Sequence, residues 1–127
     1  MSVKFKVIER GEPGVVGGGT KKFYAIASSI GEETIESLTK SIEKISTVSG
    51  AYIRAVLYAL VDVIVIDLSN GMIVRLGDLG SLRIGISSEG VESADKLTAN
   101  QIKGAKTIFT PGPRLKEMLL TLKFQKS

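Results

Sequence analysis

The side chains that could do chemistry in this chain are its lysines, arginines and carboxylates, because the sequence contains neither histidine nor cysteine. The usual general base and metal ligand are therefore missing, and no disulfide or thiolate zinc site can form. The acids that cluster in sequence are Glu32, Glu33 and Glu36, and a second pair is Asp62 and Asp67. Acids placed in this way more often solvate a helix or favour its first turn than catalyse a reaction. The sequence therefore predicts no enzyme, no cofactor and no metal site.

A glycine-rich segment is the only candidate for a phosphate-binding loop. Three glycines, Gly17 to Gly19, stand directly before Thr20, Lys21 and Lys22. A Walker loop needs the pattern G-x-x-x-x-G-K-[ST] at the start of a helix, so that backbone N–H groups and the helix dipole converge on phosphate. Here the threonine precedes the lysines, and the residues that follow alternate as a strand does. The sequence therefore does not predict a nucleotide or another small-molecule ligand.

The charge is unevenly distributed along the chain, although its net value is only +4. Counting Lys and Arg against Asp and Glu gives +3 for residues 1–30, −2 for 31–46, −1 for 47–82 and +4 for 83–127. An acidic middle and basic ends indicate a surface that faces a polyanion, built from the C-terminal third. The alternative is a mildly basic surface that is simply well solvated.

The first elements predicted along the chain are two strands. Apolar and polar residues alternate over Val3 to Arg10 and again over Lys22 to Ser28, with Gly11 to Lys21 as a turn-rich connection. The pattern predicts an N-terminal β-hairpin over residues 1–30. Because an isolated hairpin is only marginally stable, it must pack on other elements.

A nearly unbroken apolar run from Ala51 to Leu68 predicts a long helix that is apolar almost all the way round. Such a helix cannot lie exposed on a small domain, so we expect a second copy of the chain to cover it. Its charged residues Arg54, Asp62 and Asp67 would each cost about 2.5–3.5 kcal/mol near a bilayer centre, which disfavours a membrane span. We expect Arg54 and Asp62 to mark a solvated edge of the helix or to pair across a dimer.

The remaining segments predict short elements around this helix. A helix opens at Gly31 to Thr34 and continues to Ile45, and Ser49 is placed to cap the long helix. Beyond Asn70-Gly71 the apolar period changes from 3.6 to 2. The segments predicted after that point are a hairpin with strands at 72–76 and 82–86 around Gly77 to Gly80, a polar extended arm at Ser87 to Gln101, a strand at Ile102 to Phe109 and a helix at Arg114 to Lys123.

Two glycine-containing motifs carry a family resemblance. V-R-L-G-D-L-G-S-L-R-I occupies residues 74–84, and F-T-P-G-P-R-L-K occupies residues 109–116. With the order of elements, they resemble the bacterial histone-like HU/IHF family, in which a G-F-G-x-F turn joins two strands and F-x-x-G-x-x-L-K opens the last helix. The resemblance implies an α+β fold and an intertwined homodimer: a helical hairpin, a three-stranded antiparallel sheet with a β-arm, and a C-terminal helix. Residues 31–127 would form this domain, and residues 1–30 would extend it as in the divergent HU-like branch.

The resemblance also implies a function, which is architectural binding of double-stranded DNA with little sequence preference by a cytoplasmic, nucleoid-associated protein. A basic saddle and two β-arms would make the contacts. The residues expected there are Lys103, Lys106, Arg114 and Lys116 in the saddle, with Arg83 and Lys96 along the arm; only Lys116 falls on a lysine of a family motif. The arm contains no proline and has a net charge of −2. We therefore do not expect this chain to kink DNA by wedging a side chain between base steps, as the family's arms do.

An alternative remains open beside DNA binding. The chain could be a dimeric structural or protein-interaction module that retains the fold but binds DNA weakly or not at all. The acidic arm favours this alternative, and so does the N-terminal hairpin, since an added strand can mask or extend a sheet edge. An N-terminus that carries charges throughout predicts no signal peptide.

Overall fold

The computed structural model describes residues 1–127 and places them in two compact units. Residues Met1–Thr34 and Leu119–Ser127 form the first, here called the terminal unit, and Ile35–Met118 form the second, the central unit. None of the helices combines the length and the apolar character that crossing a membrane requires.

The terminal unit is a three-stranded sheet. Strands β1 (Val3–Arg10) and β2 (Lys22–Ser28) pair antiparallel, which confirms the predicted hairpin. A third strand, β6 (Phe124–Lys126), pairs parallel to the other edge of β1, with Val3 opposite Phe124. The sequence pattern did not predict β6, because three residues are too few to establish an alternation. The last helix accordingly ends earlier than expected, at Thr121.

The central unit begins with two helices, α1 (Ile35–Ile45) and α2 (Gly50–Ser69). Helix α1 starts later than expected, so Glu36 is the acid in its first turn and Glu33 lies ahead of it. The predicted N-cap position of α2 is confirmed, whereas the side-chain bond expected there is not made. Ser49 occupies the N-cap position, but its side chain makes no capping hydrogen bond. The Glu43 carboxylate, carried on α1, accepts instead from the Gly50 N–H at 2.9 Å, and this bond ties the two helices together.

Helix α2 buries one sector and exposes the rest. Ile53 is the only buried apolar residue of the chain, at 6% exposure, and it belongs to the sector that faces α1. A turn of 3.6 residues places Tyr52, Val56, Val63 and Ile66 on one stripe, all of them more than half exposed. A second exposed stripe, on another side of the helix, contains Tyr58, Val61 and Val65. The predicted all-round apolar helix is confirmed, and α1 covers only part of it.

The charged residue Arg54 lies on the solvated side of α2. Its guanidinium donates to a Glu36 carboxylate oxygen at 2.6 Å, and both side chains are about half exposed. The pair therefore joins α1 to α2 within one chain. An exposed pair of this kind contributes at most about 1 kcal/mol, so its main effect is to satisfy the charge on an otherwise apolar helix.

A three-stranded antiparallel sheet completes the central unit, as predicted, in the order β3-β4-β5. Its strands are β3 (Val74–Arg75), β4 (Gly80–Ser88) and β5 (Ile102–Pro111). Val74 lies opposite Leu82, and Leu82 lies opposite Phe109, so these apolar side chains share one face. Helix α3 (Pro113–Thr121) follows β5, with proline at its first position.

The prediction of an extended arm over Ser87 to Gln101 is wrong for most of that segment. The strands stop at Ser88 and resume at Ile102, and two short 3₁₀ turns, Ala94–Lys96 and Ala99–Gln101, lie between them. Side-chain hydrogen bonds stabilise the second turn, since Gln101 Oε1 accepts from the Thr98 N–H at 2.7 Å. This local capping competes with strand pairing at residues 98–101. Residues 89–101, here called the tip, form a loop that contains both 3₁₀ turns.

The two glycine motifs meet in the structure. The Gly112 N–H donates to the Leu79 carbonyl at 2.9 Å, which holds the start of α3 against the turn between β3 and β4. Gly112 is buried, and a Cβ added there would lie 2.5 Å from the Asp78 carbonyl oxygen. Gly77 and Gly80 have positive φ angles of 61° and 146°. Only glycine therefore fits these positions, for steric reasons at Gly112 and for conformational reasons in the turn.

This contact predicts that Gly112→Ala destabilises the fold. The new methyl group meets backbone atoms that cannot rotate away, so the free energy of unfolding should fall by about 1–3 kcal/mol, the usual cost of overpacking. Urea unfolding followed by circular dichroism measures it. Gly90→Ala is the matched control, because its Cβ would meet open space at a φ that is not positive. Equal midpoints for both variants would contradict this account of Gly112.

Candidate nucleic-acid interface

The β3-β4-β5 sheet has one apolar face. Its opposite face carries cations from all three strands. The register places Arg75 opposite Ser81, and Gly85 opposite Lys106. Because side chains alternate between faces along each strand, Arg75, Arg83 and Lys106 share one side. Arg83 is a diagonal neighbour of Arg75, and such neighbours lie about 7–8 Å apart. The three strands thus bring together a compact group of positive charges.

Gly85 shapes the surface around Lys106. Paired strands direct Lys106 and Ile108 to the face where Gly85 has no side chain. A Cβ at Gly85 would lie 2.6 Å from Ile108 Cδ1 and 3.5 Å from Lys106 Cε. The stem of Lys106 and the end of Ile108 therefore lie across the glycine. A side chain at position 85 would displace them.

Lys103 occupies an irregular position on the same strand. Ser87 pairs with Gly104 and Ser88 with Ile102, so Lys103 is the extra residue of a β-bulge. A bulge turns the side chains near it away from strict alternation, and it increases the local twist. The direction of Lys103 therefore cannot be obtained by counting from Lys106, and only the register reveals the bulge.

The beginning of α3 adds a second group of cations. A shallow cavity of about 320 Å³ is lined by Arg75 and Lys116 together with backbone of the glycine turn and of residues 110–113. The first turn of a helix presents N–H groups and the positive end of its dipole, both of which favour an anion. Arg114 lies elsewhere: it lines a separate cavity of about 380 Å³ beside Asp78, Leu79 and Met118.

The residues predicted to contact DNA thus do not form one continuous group. Lys116 lies with Arg75, and Arg83 shares a face with Lys106, whereas Arg114 and Lys103 occupy positions of their own. Arg75 was not among the residues predicted from the sequence, although its alternation with the apolar residues of β3 could have placed it on this face. None of the residues in this group forms an ion pair within the chain: Arg75, Arg83, Lys103, Lys106, Arg114 and Lys116. All of these side chains are exposed, so their charges are available to a partner.

Lys96 differs from the other predicted residues, because it lies in the tip among acids. Its ammonium is 3.5 Å from the Glu92 carboxylate, four residues earlier. Hydrogen bonds from the Ser93 side chain and from the Asp95 backbone N–H hold the pKa of the Asp95 carboxyl below its ordinary value, so this acid is ionised at neutral pH. The tip is therefore an acidic segment at the end of a cationic strand pair.

The structure holds no close group of three or more acids that could coordinate a metal ion. The cavities that the cations line are shallow and open, and Glu36, one of the acids that cluster in sequence, forms an ion pair with Arg54. The arrangement is suited to electrostatic contact with an extended anion, which needs exposed cations on a rigid surface and no reactive group.

A comparison with solved structures finds the same fold in a protein from Bacteroides vulgatus ATCC 8482, whose name proposes that it is a bacterial DNA-binding protein. The superposition has a TM-score of 0.66 at 15% sequence identity and covers 98% of this chain. This chain spans about half of that one, 48% of its length. A comparison with curated proteins found no match.

A comparison with protein families gives a match over nearly the entire chain. The matching family is HU-HIG, described as an HU domain fused to wHTH, Ig, or glycine-rich motif, and the match extends over residues 1–126. It therefore includes β1, β2 and β6 of the terminal unit as well as the helices and sheet of the central unit. The resemblance that the two glycine motifs carried is confirmed, and the chain belongs to the HU-HIG family.

Proposed function

We propose that this protein binds double-stranded DNA without catalysing a reaction, and that it acts as an architectural, histone-like component of the nucleoid in the cytoplasm. The observation that carries the proposal is the set of exposed, unpaired cations on one sheet face and at the start of α3, in a chain of the HU-HIG family. The name of the Bacteroides vulgatus protein of the same fold supports the same partner.

The contacts in this proposal go to phosphates, because the cationic surface offers little that could distinguish bases. The proposed residues are Arg83, Lys96, Lys103, Lys106, Arg114 and Lys116, and we add Arg75 because it lines the same cavity as Lys116. Lys96 contributes least, since Glu92 already neutralises much of its charge. Phosphate contacts fix position and orientation but carry no sequence information, so we expect low specificity.

A homodimer is the second part of the proposal. Both exposed stripes of α2 carry large apolar side chains, and leaving these in water forgoes about 25 cal/mol for each Å² that a partner could cover. A second copy is the partner always present at equal concentration, and a twofold contact of α2 with itself would bury matching apolar surfaces. The intertwined dimer that the family resemblance implies is the arrangement we propose.

One observation favours a second candidate, a dimeric structural or protein-interaction module with weak DNA binding. The tip carries Glu89, Glu92 and Asp95 against Lys96 alone, and negative charge at the end of an arm repels a phosphate backbone. Gel-shift assays with plain, nicked and cruciform duplexes, at low and at moderate salt, separate the candidates. Binding of any duplex that weakens with salt supports the DNA-binding protein, and its absence supports the module.

The proposed dimer can be tested by its mass in solution and by a substitution on the exposed surface of α2. The protein should sediment at twice its chain mass of 13.5 kDa. Val63→Asp places a charge on the exposed stripe of α2, so we expect either a monomer or loss of the helical circular dichroism signal, since a lone chain has little core. Ser41→Asp, on the exposed side of α1, is the control and should remain dimeric. A wild-type protein that sediments as a monomer at micromolar concentrations contradicts the proposal.

The DNA surface predicts a salt dependence. If the dimer neutralises about 6 phosphates, the slope of log K against log salt should be near −5. Lys106→Gln removes one cation from each chain, so the slope should become less negative by about 2 and binding should weaken equally for unrelated sequences. Fluorescence anisotropy with labelled duplexes measures both quantities. Lys40→Gln, which removes the same charge from α1, should leave the slope unchanged; a flat response of the wild type would rule out the proposal.

A further inference from the structure

The terminal unit has two chemically different faces. One face of its sheet is apolar, and a groove of about 410 Å³ there is lined by Val3, Phe5, Ala25, Ala27 and Phe124. The other face is cationic. The register pairs Lys4 with Ser28, Lys6 with Ile26, and Arg10 with Lys22, so these basic residues point to the same side. They are named here the terminal cationic face: Lys4, Lys6, Arg10 and Lys22.

No strand of this sheet places an acid on the terminal cationic face. Glu9 alternates to the apolar side, since Glu9 pairs with Phe23. Glu12 reaches over from the glycine-rich loop and pairs with Lys22 at 3.4 Å. Lys6 and Arg10 form no ion pair within the chain, and both are exposed. A net positive charge therefore remains on this face.

Neutral neighbours hold the cations in place without cancelling their charge. The Lys4 ammonium donates to Gln125 Oε1 at 2.6 Å, and the Ser2 hydroxyl donates to the same oxygen at 3.2 Å. Arg10 lies over the ring of Tyr24, with 5.8 Å between its Cζ and the ring centroid. Strand β6 thus orders Lys4, and Tyr24 orders Arg10. The side chains are preorganised, which lowers the entropy lost when they meet a partner.

The apolar side, and not the cationic one, is suited to packing on protein. Burying unpaired cations costs several kcal/mol for each ion, whereas covering the apolar side is favourable. The cationic side therefore stays in water or meets an anion. Lys4 and Arg10 are six residues apart on β1, so they span about 20 Å at roughly 3.4 Å per residue. A strand of duplex DNA places a phosphate about every 3.4 Å along its axis, and a row of cations of this length can follow several of them.

We infer that the terminal cationic face binds the phosphate backbone of double-stranded DNA, as a second binding surface in addition to that of the central unit. The inference rests on the proposed function, since it assumes that DNA is the protein's partner. The polar donors Gln125 and Ser28 beside the cations suit phosphate oxygens. The aliphatic side chains between the cations, Ile8 and Ile26, are too short to anchor the sheet in a bilayer. The surface adds affinity without adding sequence preference.

The test compares three pairs of substitutions in the full chain. Lys6→Gln with Arg10→Gln removes the exposed cations of the terminal cationic face, Lys103→Gln with Lys106→Gln weakens the surface of the central unit, and Lys40→Gln with Lys44→Gln in α1 is the control of equal charge. Affinity for a labelled duplex is measured over a range of salt. For the first pair we expect binding weakened at least tenfold and a slope less negative by about 0.9 for each phosphate that is no longer neutralised, with no change for the control.

The pair Lys6→Arg with Arg10→Lys keeps both charges, so it should bind the duplex with most of the wild-type affinity. It shows whether weaker binding of the first pair is due to lost charge or to altered folding. Thermal melting of all variants should match the wild type, because the substituted side chains are exposed. If the first pair binds like the wild type while the central pair is weakened, the inference is overturned and the proposed function stands. A first pair no weaker than the α1 control overturns it as well. If the wild type shows no salt-dependent binding, the proposed function fails first.

A further experiment tests a different anionic partner, a phospholipid membrane. Sedimentation with vesicles of mixed neutral and anionic phospholipid is measured for the wild type and for Lys6→Gln with Arg10→Gln. We expect no binding of the wild type at moderate salt. Vesicle binding that depends on Lys6 and Arg10, with unchanged DNA affinity, would assign the face to a membrane surface and overturn the inference.

Discussion

The apolar surface of α2 is the constraint on which the remaining structure depends. One sector of the helix packs on α1 around Ile53, and the other sectors present Val, Ile, Leu and Tyr side chains to solvent. Water contact with that much apolar surface is unfavourable, so the helix requires cover that α1 cannot supply. The small sheet beside it, with its apolar face built from Val74, Leu82 and Phe109, has the same need. The proposed dimer follows from this requirement.

The contact between two glycine motifs makes the cationic surface possible. Gly112 allows the first turn of α3 to lie directly on the Gly77–Gly80 turn, because any Cβ would collide with backbone there. That close approach places Lys116 at the same cavity as Arg75, although 41 residues separate them in sequence. Backbone geometry thus assembles charges that belong to different elements. The family pattern in these motifs consequently reflects packing, and the neighbouring charges carry the proposed function.

Charge is distributed by element in this protein. The sheet face and the start of α3 are positive, the tip beyond them is acidic, and the terminal sheet has its own cationic side. Cationic places on a protein attract a polyanion, and acidic places repel it. The acidic tip distinguishes this chain from a family member whose arms are basic throughout.

Sequence patterns were sufficient for long or strongly periodic elements. The alternation of β1 and β2, the run of α2 and the glycine turn each lie within one stretch of chain, and the structure agrees with them. The failures occur where side chains compete for backbone hydrogen bonds. Glu43 displaces Ser49 as the cap of α2, and side-chain bonds of Thr98 and Gln101 end the arm early. Strand β6 is too short to leave a pattern, and only pairing with β1 makes it a strand.

Composition and local period were enough to predict most element types, the absence of histidine and cysteine chemistry, and the need of α2 for cover. The family was indicated by the resemblance of the two glycine motifs and is confirmed by the family match. Tertiary structure alone decided which cations lie together. Pairing register put Arg83 on the side of Lys106, a bulge removed Lys103 from that alternation, and a salt bridge drew Lys96 to Glu92. Register depends on pairing between segments far apart in the chain, and no local pattern encodes it. The pair of Lys96 with Glu92, in contrast, joins residues only four apart.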